Sequence, residues 1–393
     1  MRDCNRLFRE VASRLNGFAK VVAKSFGVPF TKFLSAFWSG MLANQSVLLT
    51  EIARASGSNV LITKQVERFC NHLSSQNCED LLPQYHLYIK NEINDKTIYC
   101  IDNTDIVKFY GEKFEYLGKV LDGSTGEIEK GFEGVNVVAL SQKHKQPIPL
   151  YSRLFSNVDP NYVSNNLETE KALDCIRQSF GSGGIKVFDR GYDDSKLMRY
   201  LINHSEKFII RCKKNRDVYF NNKKINITDI VKEPAHAIQN LFTKGKKALT
   251  LIFKKYSVIV AEMELNLIVV TGFGKDPMFL LTNMEDAKEL ETTVVRVYLL
   301  RWKVEEKFRF EKDVFDLEDF RVRNMQAMRN LVLLTSMLCG FIAVICEHQM
   351  SKLFKRLLNY SQTIHKKPKK NHLYFYSIAR AIERLFCKYF SSA

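Results

Sequence analysis

Residues 298–312 limit what this chain can fold into more than any other stretch, because four polar residue types recur in them at helical spacing. These residues are Tyr298, Arg301, Glu305 and Lys312. At about 100° per residue, their side chains fall within an arc of roughly 60° on an uninterrupted helix. The spacing therefore predicts a helix that presents a tyrosine, an arginine, a carboxylate and a lysine on one face.

An apolar stripe accompanies this polar face. Val297, Leu300, Val304 and Phe308 are spaced three, four and four residues apart, which is typical of a helix that buries one side against a core. A carboxylate held beside an arginine and a lysine suits a site that binds a metal ion and a phosphate together. The alternative is a surface helix whose charges are simply solvated.

Two aspartates lie within or directly after strand-like apolar segments earlier in the chain. Asp102 belongs to the segment 97–109, and Asp189 directly follows the strand-like residues 185–188. Three acidic side chains, counting Glu305, supply the oxygen ligands that favour Mg²⁺ or Mn²⁺ over zinc. The sequence thus contains the donors for a magnesium-dependent site.

The spacing Tyr-x2-Arg-x3-Glu-x6-Lys, together with the two strand-borne aspartates, resembles the insertion-sequence-four type of DDE transposase, a family of bacterial cut-and-paste enzymes. The resemblance spans roughly residues 93–350. It implies an α/β fold with a ribonuclease-H-like catalytic core, a β-rich insertion in that core, and an all-helical DNA-binding domain before it.

The same resemblance assigns roles to individual residues. It implies that Asp102, Asp189 and Glu305 are the catalytic, metal-binding triad, with Mg²⁺ as cofactor and Mn²⁺ able to replace it. It implies a second set that holds the DNA backbone at the element ends, made of Tyr298, Arg301 and Lys312. The expected reaction is nicking at each end, hairpin formation, reopening and transfer into target DNA by a homodimer.

Neighbouring residues compete for these roles. Asp105 lies three residues after Asp102 and would point to the opposite face of a strand, so we favour Asp102. Glu306 lies about 100° around the helix from Glu305 and off the polar face. Trp302 could stack on a displaced base, or it could pack against the core as aromatic residues near a core helix usually do.

Composition supports a polyanionic partner. The 59 Lys and Arg residues exceed the 43 Asp and Glu residues, which gives a net charge of +16 and favours double-stranded DNA. Residues 47–57 and 63–73 have helix-turn-helix spacing, and the second helix would offer Lys64, Gln65 and Arg68 to a DNA groove. A plain helical hairpin that packs its own core is the alternative.

The remaining features indicate an intracellular protein. The nine cysteines lack CxxC spacing and are interpreted as reduced thiols of a cytoplasmic protein. The resemblance to the bacterial transposases adds the expectation that this protein is bacterial and nucleoid-associated. We find no secretory signal, and the apolar residues 331–346 are too few for a membrane span and predict a buried core helix. We therefore expect no membrane partner.

The domain prediction follows from changes in periodicity along the chain. It comprises a helical DNA-binding domain (1–92), the first part of the core (93–214), the β-rich insertion (215–277), the second part of the core (278–350) and a basic helical tail (351–393). Residues 365–370 of that tail form a basic patch for DNA contact or localisation, or a solvated terminus.

Two other functions remain open at the level of sequence. One is a non-catalytic DNA-binding relic or regulator, which would have no chemical reason to keep all three acidic residues. The other is a related DNA endonuclease that cuts without strand transfer, and the residues do not distinguish it from a transposase.

Overall fold

The computed structural model describes residues 2–244, 247–285, 288–362 and 374–390. The chain divides into two compact units. The first unit contains Met1–Ile93, Asn103–Ser179 and Glu305–Ala393, and the second contains Asn94–Asp102 and Phe180–Val304. These units do not follow the predicted domain boundaries, because the amino-terminal helices share a unit with the carboxyl-terminal ones. The predicted basic patch 365–370 lies outside the described residues.

The fold is mixed α/β. The helices are α1 (Arg2–Val22), α2 (Val28–Asn44), α3 (Leu49–Arg54), α4 (Ile62–Ser75), α5 (Leu82–Ile89), α6 (Asn165–Phe180), α7 (Ser195–Asn203), α8 (Leu290–Tyr298), α9 (Lys303–Phe315), α10 (Met325–Glu347), α11 (Lys352–Gln362) and α12 (Phe375–Phe390). The strands are β1 (Ile98–Val107), β2 (Gly118–Leu121), β3 (Ile128–Leu140), β4 (Pro147–Phe155), β5 (Ile185–Phe188), β6 (Lys207–Arg211), β7 (Asp217–Phe220), β8 (Lys223–Asn226), β9 (Ala237–Lys244), β10 (Lys247–Val260), β11 (Met263–Thr271) and β12 (Met278–Thr282).

The core of the first unit is built around α10. This apolar helix packs on β4, α4 and α12, and Leu334 in it accepts a hydrogen bond from the Trp38 indole nitrogen at 3.0 Å. Among the described residues, α10 is the one helix whose length and apolar composition could cross a membrane. Within the protein, 94% of its most apolar window is buried, as expected for the predicted core helix.

Strands β2, β3 and β4 form an antiparallel group in the first unit. Strand β3 also lies beside the second half of β1, where Lys108 donates a backbone hydrogen bond to Lys130 at 2.8 Å. Gly131 permits this close approach, because a Cβ there would lie 2.5 Å from the Ile106 carbonyl oxygen.

The second unit is organised around a sheet with the strand order β1-β5-β6-β12-β11-β10-β7-β8, and β9 pairs with β10. Strands β1, β5 and β6 are parallel, whereas β12 runs antiparallel to β6. The segment 215–277, predicted as a β-rich insertion, supplies β7 to β11. In this unit those strands extend the sheet that contains β5 and β6.

The prediction of one continuous helix over residues 298–312 is wrong. Helix α8 ends at Tyr298 and α9 begins at Lys303. Between them the backbone tightens, since Arg301 donates to the Tyr298 carbonyl at 2.9 Å and Val304 donates to the Arg301 carbonyl at 3.0 Å. These bonds span three residues, as in a 3₁₀ turn, instead of four.

Candidate active site

In the second unit, the parallel-paired parts of three neighbouring strands stop at the same edge of the sheet, and charged residues stand at that edge; β1 itself continues to Val107. Ile101 of β1 is in register with Phe188 of β5, and Phe188 is in register with Ile210 of β6. The residues one position further on are Asp102, Asp189 and Arg211. Carboxyl ends of adjacent parallel strands are where α/β sheets place their ligand sites. Chain topology alone therefore brings the two predicted aspartates together.

Arg301 contacts both aspartates. Its Nη1 lies 2.6 Å from Asp102 Oδ2, and its Nε lies 4.0 Å from Asp189 Oδ1. The side chains of Arg301 and Asp102 are 14% and 19% exposed, and that of Asp189 is 36% exposed. The two carboxylates are thus held against one guanidinium and remain open to solvent on one side.

Tyr298 completes this cluster. Its hydroxyl donates to Asp189 Oδ1 at 3.1 Å, and the Arg211 side chain donates to the same hydroxyl. Burial and then the Asp189 carboxylate raise the pKa of Tyr298 to about 12, while Arg301 and Arg211 offset part of that rise. Tyr298 is therefore a neutral hydrogen-bond donor at physiological pH and orients Asp189.

Sequence reasoning missed Arg211. The signal was present, because Arg211 follows the apolar residues 208–210 just as Asp189 follows 185–188. A charged residue that ends a buried parallel strand is placed at the same sheet edge as the other strand ends. A single arginine at the end of a strand belongs to no spacing motif, so a search for motifs does not select Arg211.

The broken helix changes how the polar residues are presented. Tyr298 is the last residue of α8, and Arg301 lies in the turn before α9, so a shared helical face does not bring them together. Both reach the sheet edge from this turn. The predicted apolar stripe is also incomplete, because Val304 is buried whereas Val297, Leu300 and Phe308 are only half-buried.

Glu305 lies in the first turn of α9 and belongs to the first unit. Its side chain is exposed, while the neighbouring Val304 and Lys307 are buried. Glu306 is half-buried. Glu305 thus lies on the outer side of α9, and its grouping with Asp102 and Asp189 remains a prediction.

The donor set at the sheet edge fits part of a divalent-cation site. Asp102 and Asp189 are oxygen donors on adjacent strands, which is the ligand type that Mg²⁺ and Mn²⁺ prefer. Within the described ranges, no group of three or more His, Cys, Asp or Glu side chains is close enough together to hold a metal ion. The two aspartates therefore fit as a pair of ligands that requires further donors.

Lys312, predicted to hold DNA, is engaged with protein groups in the first unit. Its Nζ lies 2.9 Å from Glu318 Oε1 and donates to the Asp105 carbonyl oxygen at 3.1 Å. Asp105 Oδ2 lies 3.9 Å away. Because the Lys312 side chain is 30% exposed, part of it remains accessible to a ligand.

Trp302 is not a core residue. It is 47% exposed, and the ammonium group of Lys303 lies 4.5 Å from the centre of its ring. The alternative of core packing is therefore excluded for this residue. An exposed indole beside a lysine is available for stacking on a base.

The three residues predicted to contact DNA on α4 have different environments. Lys64 is exposed and pairs with Glu67 at 3.0 Å, whereas Arg68 is half-buried. Gln65 is buried, with 1% of its surface exposed, so in this structure it lies within the helical core and not on the surface offered to DNA. The reason is the helical period, since Gln65 shares the inner face of α4 with Phe69.

The sequence model of the family described as "Transposase DDE domain" matches residues 94–339, which is more than half of the 393-residue chain. The chain belongs to the transposase DDE domain family. Family membership confirms the prediction of a DDE transposase in its general form, with DNA transposition as the class of function. The insertion-sequence-four type remains a prediction.

Two solved structures resemble this family member at low similarity. A piggyBac transposase synaptic complex with hairpin DNA shares 12% identity, with coverage of 99% of this chain and 81% of that chain and a TM-score of 0.42. Endonuclease V from Bacillus subtilis shares 11% identity, with coverage of 61% and 96% and a TM-score of 0.28. No curated protein matches the sequence. The family assignment rests on the sequence match.

Proposed function

We propose that this protein is an active DNA transposase of the insertion-sequence-four type, which cuts its element at the ends and joins it to target DNA. The observation that carries the proposal is the pair Asp102 and Asp189 at adjacent parallel strand ends, with Arg301 beside both. A DNA-binding relic has no physical need for this arrangement. The family match supplies the class of reaction.

Asp102, Asp189 and Glu305 would hold the divalent cations in this proposal. Mg²⁺ or Mn²⁺, when bound, would neutralise the charge around the scissile phosphodiester and assist the attacking and leaving oxygens. The carboxylates carry negative charge that repels DNA, and Arg301 offsets it. A phosphate that approaches Asp102 and Asp189 also comes within reach of the Arg301 guanidinium, whose fork suits two phosphate oxygens.

Tyr298 has a positioning role in the same proposal. Its hydroxyl holds Asp189 Oδ1 at 3.1 Å and fixes the orientation of that carboxylate. Trp302, exposed next to Arg301 in the chain, would stack on a base displaced at the cleavage point. Lys312 and the α4 residues Lys64 and Arg68 would add sequence-independent contacts to the DNA backbone.

The architecture proposed for this activity is a ribonuclease-H-like core. The order of parallel strands β1, β5 and β6, with α6 and α7 between them in sequence, supports it. Double-stranded DNA at the element ends and the target is the proposed partner, and a homodimer is the proposed assembly.

The experiment uses DNA from both sides of the coding region as a labelled duplex, incubated with the full-length protein in Mg²⁺ or Mn²⁺. We expect a nick at one position near each end, then a hairpin product on a denaturing gel, and joined products when target plasmid is added. Nicks without joined products would indicate the endonuclease. Binding on a native gel with no nick in either metal ion would show that the protein is a regulator or relic.

A further inference from the structure

The loop between β1 and β2 in the first unit exposes two adjacent aromatic side chains. Phe109 is 60% exposed and Tyr110 is 99% exposed. We call this pair the aromatic tip. Aromatic side chains of this size normally bury most of their surface, so two neighbouring exposed rings require an explanation beyond the stability of the fold.

The loop that carries the aromatic tip is anchored at its start. Lys108, only 7% exposed, donates from Nζ to the Phe320 carbonyl oxygen at 2.9 Å and also to the Glu318 carbonyl oxygen. Its ammonium group lies 3.4 Å from the centre of the Phe320 ring. The residue immediately before the aromatic tip is therefore fixed to the segment 318–320.

A second anchor lies after the tip. The Glu115 backbone nitrogen donates to the Arg323 carbonyl oxygen at 2.9 Å. Its carboxylate accepts hydrogen bonds from the Met325 backbone nitrogen at 2.6 Å and the Asn324 side chain at 3.1 Å. Because both ends of the loop are held by hydrogen bonds, we call the loop the platform of the aromatic tip. Binding of a ligand to the rings should cost little conformational entropy of the loop.

Basic side chains surround the platform. A cavity of about 620 Å³ lies between the loop and residues 318–323, and Lys113, Arg321 and Arg323 are exposed at it. In the described part of the chain, no ion pair within 4.0 Å involves these three cations. Three acidic side chains also line the cavity: Glu318 pairs with Lys312 at 2.9 Å, Asp319 lies near Lys108, whose charged form it favours, and Glu112 is exposed.

Exposed aromatic rings beside cations that lack carboxylate partners match the chemistry of unpaired nucleic acid. Bases stack on the rings, and the cations meet the phosphates that connect them. A protein partner would instead be expected to meet a larger continuous apolar patch with charges at its rim. In a fully paired duplex the bases are stacked on one another, so no base is free to stack on the aromatic rings.

We propose that the aromatic tip is a stacking site for an unpaired base of the DNA substrate, with Lys113, Arg321 and Arg323 on the adjoining phosphates. This inference rests on the proposed function, because that function generates hairpin and single-stranded ends. It adds a DNA contact in the first unit that is separate from Asp102, Asp189 and Arg301 and from the DNA-binding residues proposed on α4.

The test measures the binding of two fluorescent DNA probes to the full-length protein by anisotropy. One probe is a duplex closed by a hairpin of unpaired bases, and the other is the fully paired duplex of the same sequence. Tyr110→Ala should weaken binding of the hairpin probe roughly 5- to 150-fold, the range for losing one stacked base. Binding of the paired probe should change less than about twofold, and Tyr110→Trp should retain hairpin binding.

Leu121→Ala is the matched control, since Leu121 is 65% exposed in the first unit but is not aromatic, and it should bind both probes as the wild type does. Equal hairpin binding by Tyr110→Ala and wild type overturns the stacking site, as does an equal loss on both probes. Either result leaves the proposed function intact if the wild type still nicks DNA. A wild-type protein that neither binds nor nicks these probes overturns both proposals.

Discussion

A buried ion pair on α9 leads to the sharpest stability prediction. Lys307 Nζ lies 2.8 Å from Glu311 Oε2, and both side chains are 2% exposed. Lys307 also donates to Asn136 Oδ1 at 2.7 Å and Ser152 Oγ at 3.0 Å. The pair therefore attaches α9, the helix that carries Glu305, to β3 and β4 within the first unit.

The expected magnitude follows from this geometry. At an effective dielectric constant of about 20, charges 2.8 Å apart attract by about 6 kcal/mol, and the desolvation of both ions costs a similar amount. The intact pair is therefore close to neutral for stability. Lys307→Met leaves Glu311 buried without its cation, which should lower the free energy of unfolding of the first unit by about 3–5 kcal/mol.

The pH dependence provides a further check. Burial already raises the pKa of Glu311, and Lys307 opposes that rise. Without Lys307 the folded-state pKa rises further above the unfolded value, so the folded variant takes up a proton more readily than the unfolded chain. The decrease in the free energy of unfolding caused by Lys307→Met should therefore be larger at pH 8 than at pH 5.

The assay is urea denaturation followed by the fluorescence of Trp38, which is fully buried in the first unit. The double variant Lys307→Met, Glu311→Leu should recover to within about 1.5 kcal/mol of the wild type. The control is Lys64→Met, because Lys64 and Glu67 are 3.0 Å apart but 68% and 58% exposed, and it should cost less than about 1 kcal/mol. A similar small cost for Lys307→Met, or a double variant as unstable as the single one, would refute this reasoning.

Three further predictions concern single residues. Arg301→Lys should reduce nicking at least tenfold relative to the exposed control Lys352→Ala, because the lysine loses the fork that reaches both aspartates; equal nicking rates would contradict this. Burial lowers the pKa of Lys108 to about 7, so between about pH 7 and 10.5 this side chain binds more protons unfolded than folded; in thermal melts, the stability of the wild type relative to Lys108→Met should therefore rise with pH over that range, and a difference that does not change with pH would contradict this. Gly340→Ala places a Cβ 1.9 Å from the Tyr85 hydroxyl and should destabilise the protein by about 1–3 kcal/mol, with partial rescue by Tyr85→Phe in the same melts.

The sequence predicted the elements whose signal is local. Strand β5 has its predicted bounds, and the buried helix α10 contains the apolar run 331–346. The signal of such segments is strong because nearly every residue in them is buried. Strands β2 and β8 were not predicted, since each has only four residues with charges among them. They are defined by antiparallel pairing with β3 and β7, and their own residues show no clear alternation.

Part of the candidate site was predictable from such local sequence signals. Asp102 and Asp189 could be found because the first lies within a strand-like segment and the second directly follows one, and parallel pairing then places them side by side. The break between α8 and α9 was not predictable, because residues 299–302 contain neither proline nor glycine and the tightened turn has no local breaker. The buried pair of Lys307 and Glu311 was equally hidden, since lysine and glutamate four residues apart are typical of a solvated helix face.

The strand-end site is tested most directly by comparing Asp102→Ala and Asp189→Ala with Asp105→Ala in single-turnover nicking of the flanking-DNA duplex in Mg²⁺. Asp105 lies on the same strand as Asp102 but beside Lys312, so it is a matched control. We expect both strand-end variants to lose nicking by more than a thousandfold while they bind the duplex within about threefold of the wild type, because affinity comes mainly from basic contacts. Asp105→Ala should still cleave. Nicking that persists in Asp102→Ala or Asp189→Ala, or that is lost only in Asp105→Ala, would contradict the assignment of the active site to this edge of the sheet.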